Sequence, residues 1–112
     1  MKWTMACLAA GLLAAGSVAV STQGTRRIYG AGTNSCAHWT ESRQKGEGWI
    51  MSGQWLLGFV SAANVYASSP PSDTDSRAIA SWMDTYCSTH PDVDLSDAVQ
   101  ELVHFLMAGT RP

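Results

Sequence analysis

The sequence predicts an all-α protein, a small four-helix bundle held by one disulfide bond. Apolar residues recur at helical spacing through much of the 112-residue chain, whereas strand signals are scarce. Capping and helix-stopping residues divide the chain into four segments of helical length. Two cysteines, Cys36 and Cys87, remain once an N-terminal export signal has been set aside.

The first residues have the features of an export signal. Lys2 supplies a short basic region, and residues 5–20 carry no charge. This run is shorter than the roughly 20 apolar residues of a membrane span, and it ends in small residues. We therefore expect residues 1–19 to be a signal peptide that is cleaved after Ala19. An uncleaved anchor helix is one alternative. A lipoprotein modified at Cys7 is less favoured, because almost no apolar run precedes that cysteine.

Cleavage would leave 93 residues, enough for one domain with a small core. The mature chain would hold six basic and nine acidic side chains, a net charge of about −3. It has no basic block of the kind that neutralises phosphates, so we expect no nucleic-acid binding. It also has no second long hydrophobic run. We therefore expect a periplasmic protein that does not contact the membrane after cleavage.

The mature chain begins with an irregular leader, residues 20–34, in which several glycines lie among polar residues. The remaining residues, 35–112, form the helical domain. Its first helix is predicted over about 35–45, with Ser35 as the N-cap. The segment "KGEG" at 45–48 ends this helix, because it contains two glycines.

The second predicted helix spans about residues 49–67 and is the most apolar of the four. A helix that is apolar over so much of its circumference is usually central in a fold. Gly53 and Gly58 each cost it about 1 kcal/mol relative to alanine. We therefore expect a neighbouring helix to approach closely at both glycines. Two adjacent apolar stripes comprise Trp49, Leu56, Val60 and Ala63, and Trp55, Phe59 and Tyr66.

A proline-rich stretch separates the second helix from the last two. The third helix is predicted over about 75–88, and Pro91 prevents it from continuing. The fourth is predicted over about 95–107. Asp94 is its expected N-cap, and Gly109 is its expected C-terminal stop.

The two cysteines of the mature chain indicate a disulfide. An even number of cysteines in a small exported domain is typical of a disulfide framework. His38 and His90 lie close in sequence to Cys36 and Cys87, so a tetrahedral zinc site is the alternative. The Cys-x-His spacing is unusual for zinc, and an oxidising compartment competes for the thiols. We therefore predict a Cys36–Cys87 bond, with no metal and no other cofactor.

No arrangement of residues typical of catalysis is present in the sequence. No serine lies in a Gly-x-Ser-x-Gly turn, and the glycines at positions 30 and 32 do not form a phosphate loop. Asp73 and Asp75 fit helix capping better than cation binding. We therefore expect a protein without enzymatic activity, and a small enzyme is the least favoured function class.

Four stretches taken together resemble a group of small exported proteobacterial proteins. They are "GAGTNSCAHW", "WLLGFVSAANVY", "DTDSRAIASWMDTYCSTHP" and "DAVQELVHFL". The shared features are a Gly-turn-Cys, a Trp-x-x-Gly-Phe helix and a Trp-x-x-x-Tyr-Cys-x-x-x-Pro segment. The group is similar to the periplasmic acid-stress chaperone HdeA and to immunity proteins that block type VI secretion amidase effectors. The resemblance implies an HdeA-like helical bundle with one disulfide and no catalysis.

Two functions follow from this resemblance. The first is a non-enzymatic binding protein, for which the implied partner is a peptidoglycan amidase effector. The second is an HdeA-like acid-stress holdase, which is less favoured because the chain has few acidic side chains to titrate. A homodimer is compatible with either function. Aromatic side chains are favoured at interface hot spots. The candidate partner-binding residues are Trp39, Trp55, Tyr66 and Trp82.

Overall fold

The computed structural model describes residues 26–68 and 73–109, so the predicted signal peptide lies outside the described residues. The described part is all-α and contains no β-strand, although one isolated bridge pairs Ser35 with Asp94. None of its helices is both long and apolar enough to cross a membrane. The helices are α1 (Cys36–Gln44), α2 (Ile50–Tyr66), α3 (Ser76–Thr89) and α4 (Leu95–Met107), with 3-10 turns at Gly30–Thr33 and Glu47–Trp49.

The ends of the helices follow from local sequence, and each lies within one residue of its predicted position. The Ser35 hydroxyl accepts a hydrogen bond from the His38 backbone N–H at 3.1 Å, which caps α1. The Asp75 carboxylate caps α3 in the same way. Gly109 follows α4 with a φ of 80°, a left-handed conformation that favours glycine. Asp94 occupies the N-cap position of α4, but its side chain accepts no capping hydrogen bond.

The centre of the core is formed by α4, so the prediction of a central α2 is wrong. Leu95, Ala98, Val99 and Leu102 of α4 are completely buried. Of the large apolar residues of α2, only Leu56 and Val60 are buried. The other buried apolar side chains of the core cluster are Cys36, Trp39, Ile79, Ala80, Met83, Cys87 and Leu106.

The two glycines of α2 do not mark a close approach by another helix, so that expectation is also wrong. A Cβ atom on Gly53 would lie 2.8 Å from the ring of Trp49, which belongs to the preceding turn of the same chain. A Cβ atom on Gly58 would have nothing within 4 Å. Gly53 therefore makes room for an aromatic ring, whereas Gly58 faces open space.

The predicted irregular leader is packed against α2 where the structure describes it. The Trp55 indole N–H donates a hydrogen bond to the Tyr29 carbonyl at 2.8 Å. Ala31 and Gly32 are buried. A Cβ atom on Gly32 would lie 2.2 Å from the Trp55 ring, so only glycine fits there. The leader thus contributes a 3-10 turn that covers part of α2.

The predicted disulfide between Cys36 and Cys87 is confirmed. It joins the first residue of α1 to the last turn of α3, and both cysteines are buried. Backbone hydrogen bonds surround it, from Cys36 N–H to the Val93 carbonyl at 2.7 Å and from Leu95 N–H to the Asn34 carbonyl at 2.7 Å. Since both sulfurs are bonded to each other, neither is a zinc ligand in this structure.

We predict that replacing both cysteines, Cys36→Ala with Cys87→Ala, lowers the free energy of unfolding by about 4 kcal/mol or more. A disulfide between residues 51 positions apart lowers the conformational entropy of the unfolded chain. In the chain-entropy model, this loss corresponds to about 4 kcal/mol of stability. Urea unfolding followed by circular dichroism measures the loss. Wild-type protein in reducing agent is the control, because it lacks the bond but keeps both buried side chains. Equal unfolding midpoints for all three samples would contradict the prediction.

Candidate functional site

The structure places the four candidate partner-binding residues in different environments. Trp39 is only 1% exposed and lies in the core. Trp55 and Trp82 are partly buried, and Tyr66 is 87% exposed. Trp55 and Tyr66 are both on α2, whereas Trp82 is on α3. The four residues therefore do not form one site, and Trp39 is not part of the exposed outer surface.

Trp39 belongs to a structural network that links α1 to α3. Its indole N–H donates to the Asp84 carboxylate at 2.9 Å, and Arg43 donates to the same carboxylate through two nitrogens, at 2.9 and 2.8 Å. The Arg43 guanidinium also lies 4.8 Å from the ring centroid of Trp49, within the range of a cation–π interaction. Hydrogen bonding to Asp84 raises the pKa of Arg43. This network fixes the Trp39 and Trp49 rings.

Most of the exposed large apolar side chains lie at the two ends of α2, and we call this group of residues the α2 surface. It consists of Ile50, Met51, Val65 and Tyr66 together with Tyr29 of the leader, which is held next to Trp55. Among the described residues only one other large apolar side chain is exposed, Met107. Met51 and Val65 are each more than three-quarters exposed and lie about four helical turns apart, which places them on one side of the helix.

The α2 surface is also free of charge within its helix. None of the 17 residues of α2 has an acidic or basic side chain. Exposed helix faces of globular proteins normally carry charged side chains. An uncharged helix with several large exposed apolar side chains is a candidate for a surface that another molecule covers.

A pocket of about 230 Å³ opens between α2 and α3, and we call it the α2–α3 pocket. The Trp39 and Trp49 rings form part of its wall, and they contact each other edge to face at a centroid distance of 6.4 Å. The lining also includes Gln54, which is exposed and which connects the pocket to the α2 surface. The remaining lining residues are Gly53, Leu56, Leu57, Ser76, Ile79 and Ala80.

A shallow groove of about 430 Å³ follows α3, and we call it the α3 groove. Trp82 stacks on Tyr86 with ring centroids 5.1 Å apart, and Tyr86 stacks on His90 at 4.0 Å. His90 Nδ1 lies 2.8 Å from the Tyr86 carbonyl oxygen, which fixes the last ring. Three stacked rings therefore line the groove together with the hydroxyl-bearing residues Ser81, Thr85 and Thr89. Its lining residues are Ala78, Ser81, Trp82, Thr85, Tyr86, Thr89 and His90.

The described residues offer several open surfaces for binding. They contain no cluster of three or more His, Cys, Asp or Glu side chains that could hold a metal ion. The Asp84 carboxylate is engaged by Trp39 and Arg43. The uncharged α2 surface, the α2–α3 pocket and the α3 groove are open to a partner.

Comparisons with known protein families, curated proteins and solved structures find no significant match to this chain.

Of the α2 surface, sequence reasoning identified Tyr66 and missed the other residues. Ile50, Met51 and Val65 are exposed, yet apolar residues surround the whole of α2, so periodicity could not tell its exposed side from its buried side. One signal was available. No charged residue occurs between Glu47 and Asp73, a long uncharged interval for a helix with an exposed face.

We predict that Asp84→Ala lowers the free energy of unfolding by about 1–3 kcal/mol, because it leaves the buried Trp39 indole N–H without an acceptor. Asp84→Asn should cost less, since its amide oxygen can still accept that bond. The Arg43–Asp84 ion pair itself contributes little, because both side chains are about a third exposed.

Urea unfolding of the two Asp84 variants measures this difference. Lys45→Ala is a matched control, because it removes the exposed Lys45–Glu41 ion pair of the same structure. We expect no resolvable change in stability for that control. If Asp84→Ala is as stable as Lys45→Ala, the Trp39 hydrogen bond does not contribute to the stability of the fold.

Proposed function

We propose that this protein is a non-enzymatic periplasmic binding protein whose α2 surface docks against a partner protein. The observation that carries the proposal is the exposure of Met51, Val65 and Tyr66 on a helix without charged residues. Burying an exposed side chain of this size contributes roughly 1.5–3 kcal/mol. A partner that buries several of these side chains gains free energy, and this gain offsets part of the translational and rotational entropy lost on association.

A protein partner fits this surface better than a small ligand does. The exposed residues lie on an outer helix face instead of in a deep cleft, and they are spread over four helical turns. Ligand sites for small molecules are usually concave. Tyr66 is also the kind of side chain found at the hot spots of protein interfaces.

One sequence feature and one structural feature support the proposed periplasmic location. The N-terminal run resembles a signal peptide, and small exported proteins often need a covalent link. The Cys36–Cys87 bond is such a link. Through its resemblance to immunity proteins, the chain has a peptidoglycan amidase effector of type VI secretion as its proposed partner. If a neighbouring gene encodes an amidase, that amidase is the effector to test first.

We predict that Val65→Asp weakens partner binding by at least about tenfold, or 1.4 kcal/mol, because it places a carboxylate in an interface that loses water. Asn64→Asp is the matched control. It introduces the same charge at the neighbouring exposed position, which lies about 100° around the helix. Val65 is 77% exposed, so the aspartate should not disturb the fold.

Binding of the purified neighbouring amidase, measured by calorimetry, tests this prediction, and inhibition of its peptidoglycan hydrolysis provides a second readout. If no amidase is encoded nearby, the partner is first captured from periplasmic extract with wild-type protein and then purified. Equal affinities for Val65→Asp and Asn64→Asp would show that the α2 surface does not bind the partner.

We predict that the protein does not protect an unrelated client from aggregation at pH 2.5 or at pH 7. At low pH the mature chain would carry about +9 from six basic side chains and three histidines, which favours loosening of the fold. The buried disulfide should limit that loosening. Light scattering of the client with and without this protein measures protection. Strong protection at pH 2.5 alone would support the acid-stress holdase instead.

A further inference from the structure

We propose that the α2–α3 pocket receives one bulky, uncharged apolar side chain of the partner protein and so anchors the partner at the edge of the α2 surface. This inference rests on the proposed function. Its evidence is the size of the pocket, the chemistry of its lining and its connection to the α2 surface.

The size of the pocket selects a single side chain. Ligand pockets for cofactors and drug-sized molecules usually enclose about 300–1,000 Å³. The α2–α3 pocket encloses about 230 Å³, which is below that range. An apolar cavity of about 150 Å³ already accommodates benzene. The space therefore fits one aromatic ring or one branched aliphatic side chain.

The lining of the pocket selects an uncharged occupant. Six apolar side chains form most of its wall, and the polar groups that join them are those of Gln54 and Ser76, which are not ionised. A charged side chain would lose its hydration there without gaining an ionic partner. The six apolar residues are Trp39, Trp49, Leu56, Leu57, Ile79 and Ala80.

The wall on the α2 side is held in place. The Trp49 ring contacts Trp39 edge to face, and the Arg43 guanidinium lies 4.8 Å from its centroid. Gly53 lies so close to this ring that a Cβ atom there would be 2.8 Å from two of its carbons. The shape of the pocket therefore depends on the absence of a side chain at position 53.

The pocket opens beside the α2 surface. Gln54 lines the pocket and is itself exposed, and Ile50 lies one helical turn before it and is 53% exposed. A partner that covers Ile50 can therefore place a neighbouring side chain into the pocket. Hot-spot side chains of protein interfaces commonly fill pockets on the partner's surface.

Indole, an uncharged ring of the right size, is the probe for this proposal. We expect indole to shift the backbone amide NMR signals of pocket residues in a saturable way, with a dissociation constant on the order of 1 mM. Gly53→Ala should weaken binding at least about fivefold, because the added methyl group displaces the Trp49 ring. Gly58→Ala is the matched control on the same helix, where a Cβ atom meets nothing, and it should bind indole as the wild type does.

Ala80→Leu supplies a second, independent variant, because it extends a side chain into the pocket from α3. Circular dichroism and melting curves establish that each variant is folded. Absence of saturable shifts in the wild type would overturn the proposal. So would indole binding that is unchanged in both Gly53→Ala and Ala80→Leu.

The same variants separate this proposal from the proposed function. Val65→Asp should lose the partner and keep indole, since Val65 does not line the pocket. Ala80→Leu should lose indole and bind the partner at least about tenfold more weakly. If Ala80→Leu loses indole but binds the partner with wild-type affinity, the pocket is not an anchor, and the α2 surface keeps its proposed function.

Discussion

The Cys36–Cys87 bond is the constraint on which the rest of the structure depends. It fixes the start of α1 against the end of α3, and the backbone bonds around it bring the start of α4 to the same place. Three of the four helices therefore meet at one junction. A loop closed over 51 positions contributes about 4 kcal/mol, a large share of the 5–15 kcal/mol by which domains are usually stable.

The parts of the fold that could be predicted are those determined by neighbours in the sequence. Ser35, Asp75 and Gly109 act on backbone groups within three or four residues, so the helix ends follow from local chemistry. The environment of Trp39 could not be predicted in this way. Its indole N–H binds a carboxylate 45 residues along the chain, and only the packing of α1 on α3 brings Asp84 within reach.

The prediction for α2 was wrong for a related reason. A helix that is apolar on all sides has no preferred buried face, so its sequence leaves its position in the fold undetermined. The completely buried face of α4 takes the centre, and α2 packs beside it with much of its circumference exposed. The pattern that indicated a central helix is therefore equally consistent with a helix that is covered by another molecule.

The same reasoning connects the stability of the domain to its proposed function. Because α4 and the disulfide provide the centre of the core, α2 can keep features that do not stabilise the isolated chain. Gly58 is such a feature, since glycine within a helix costs about 1 kcal/mol and no described atom needs the space. The exposed Met51 and Val65 are another, because they remain in contact with water. Docking of a partner on the α2 surface would compensate for both, since it would bury the apolar side chains and could use the open space at Gly58.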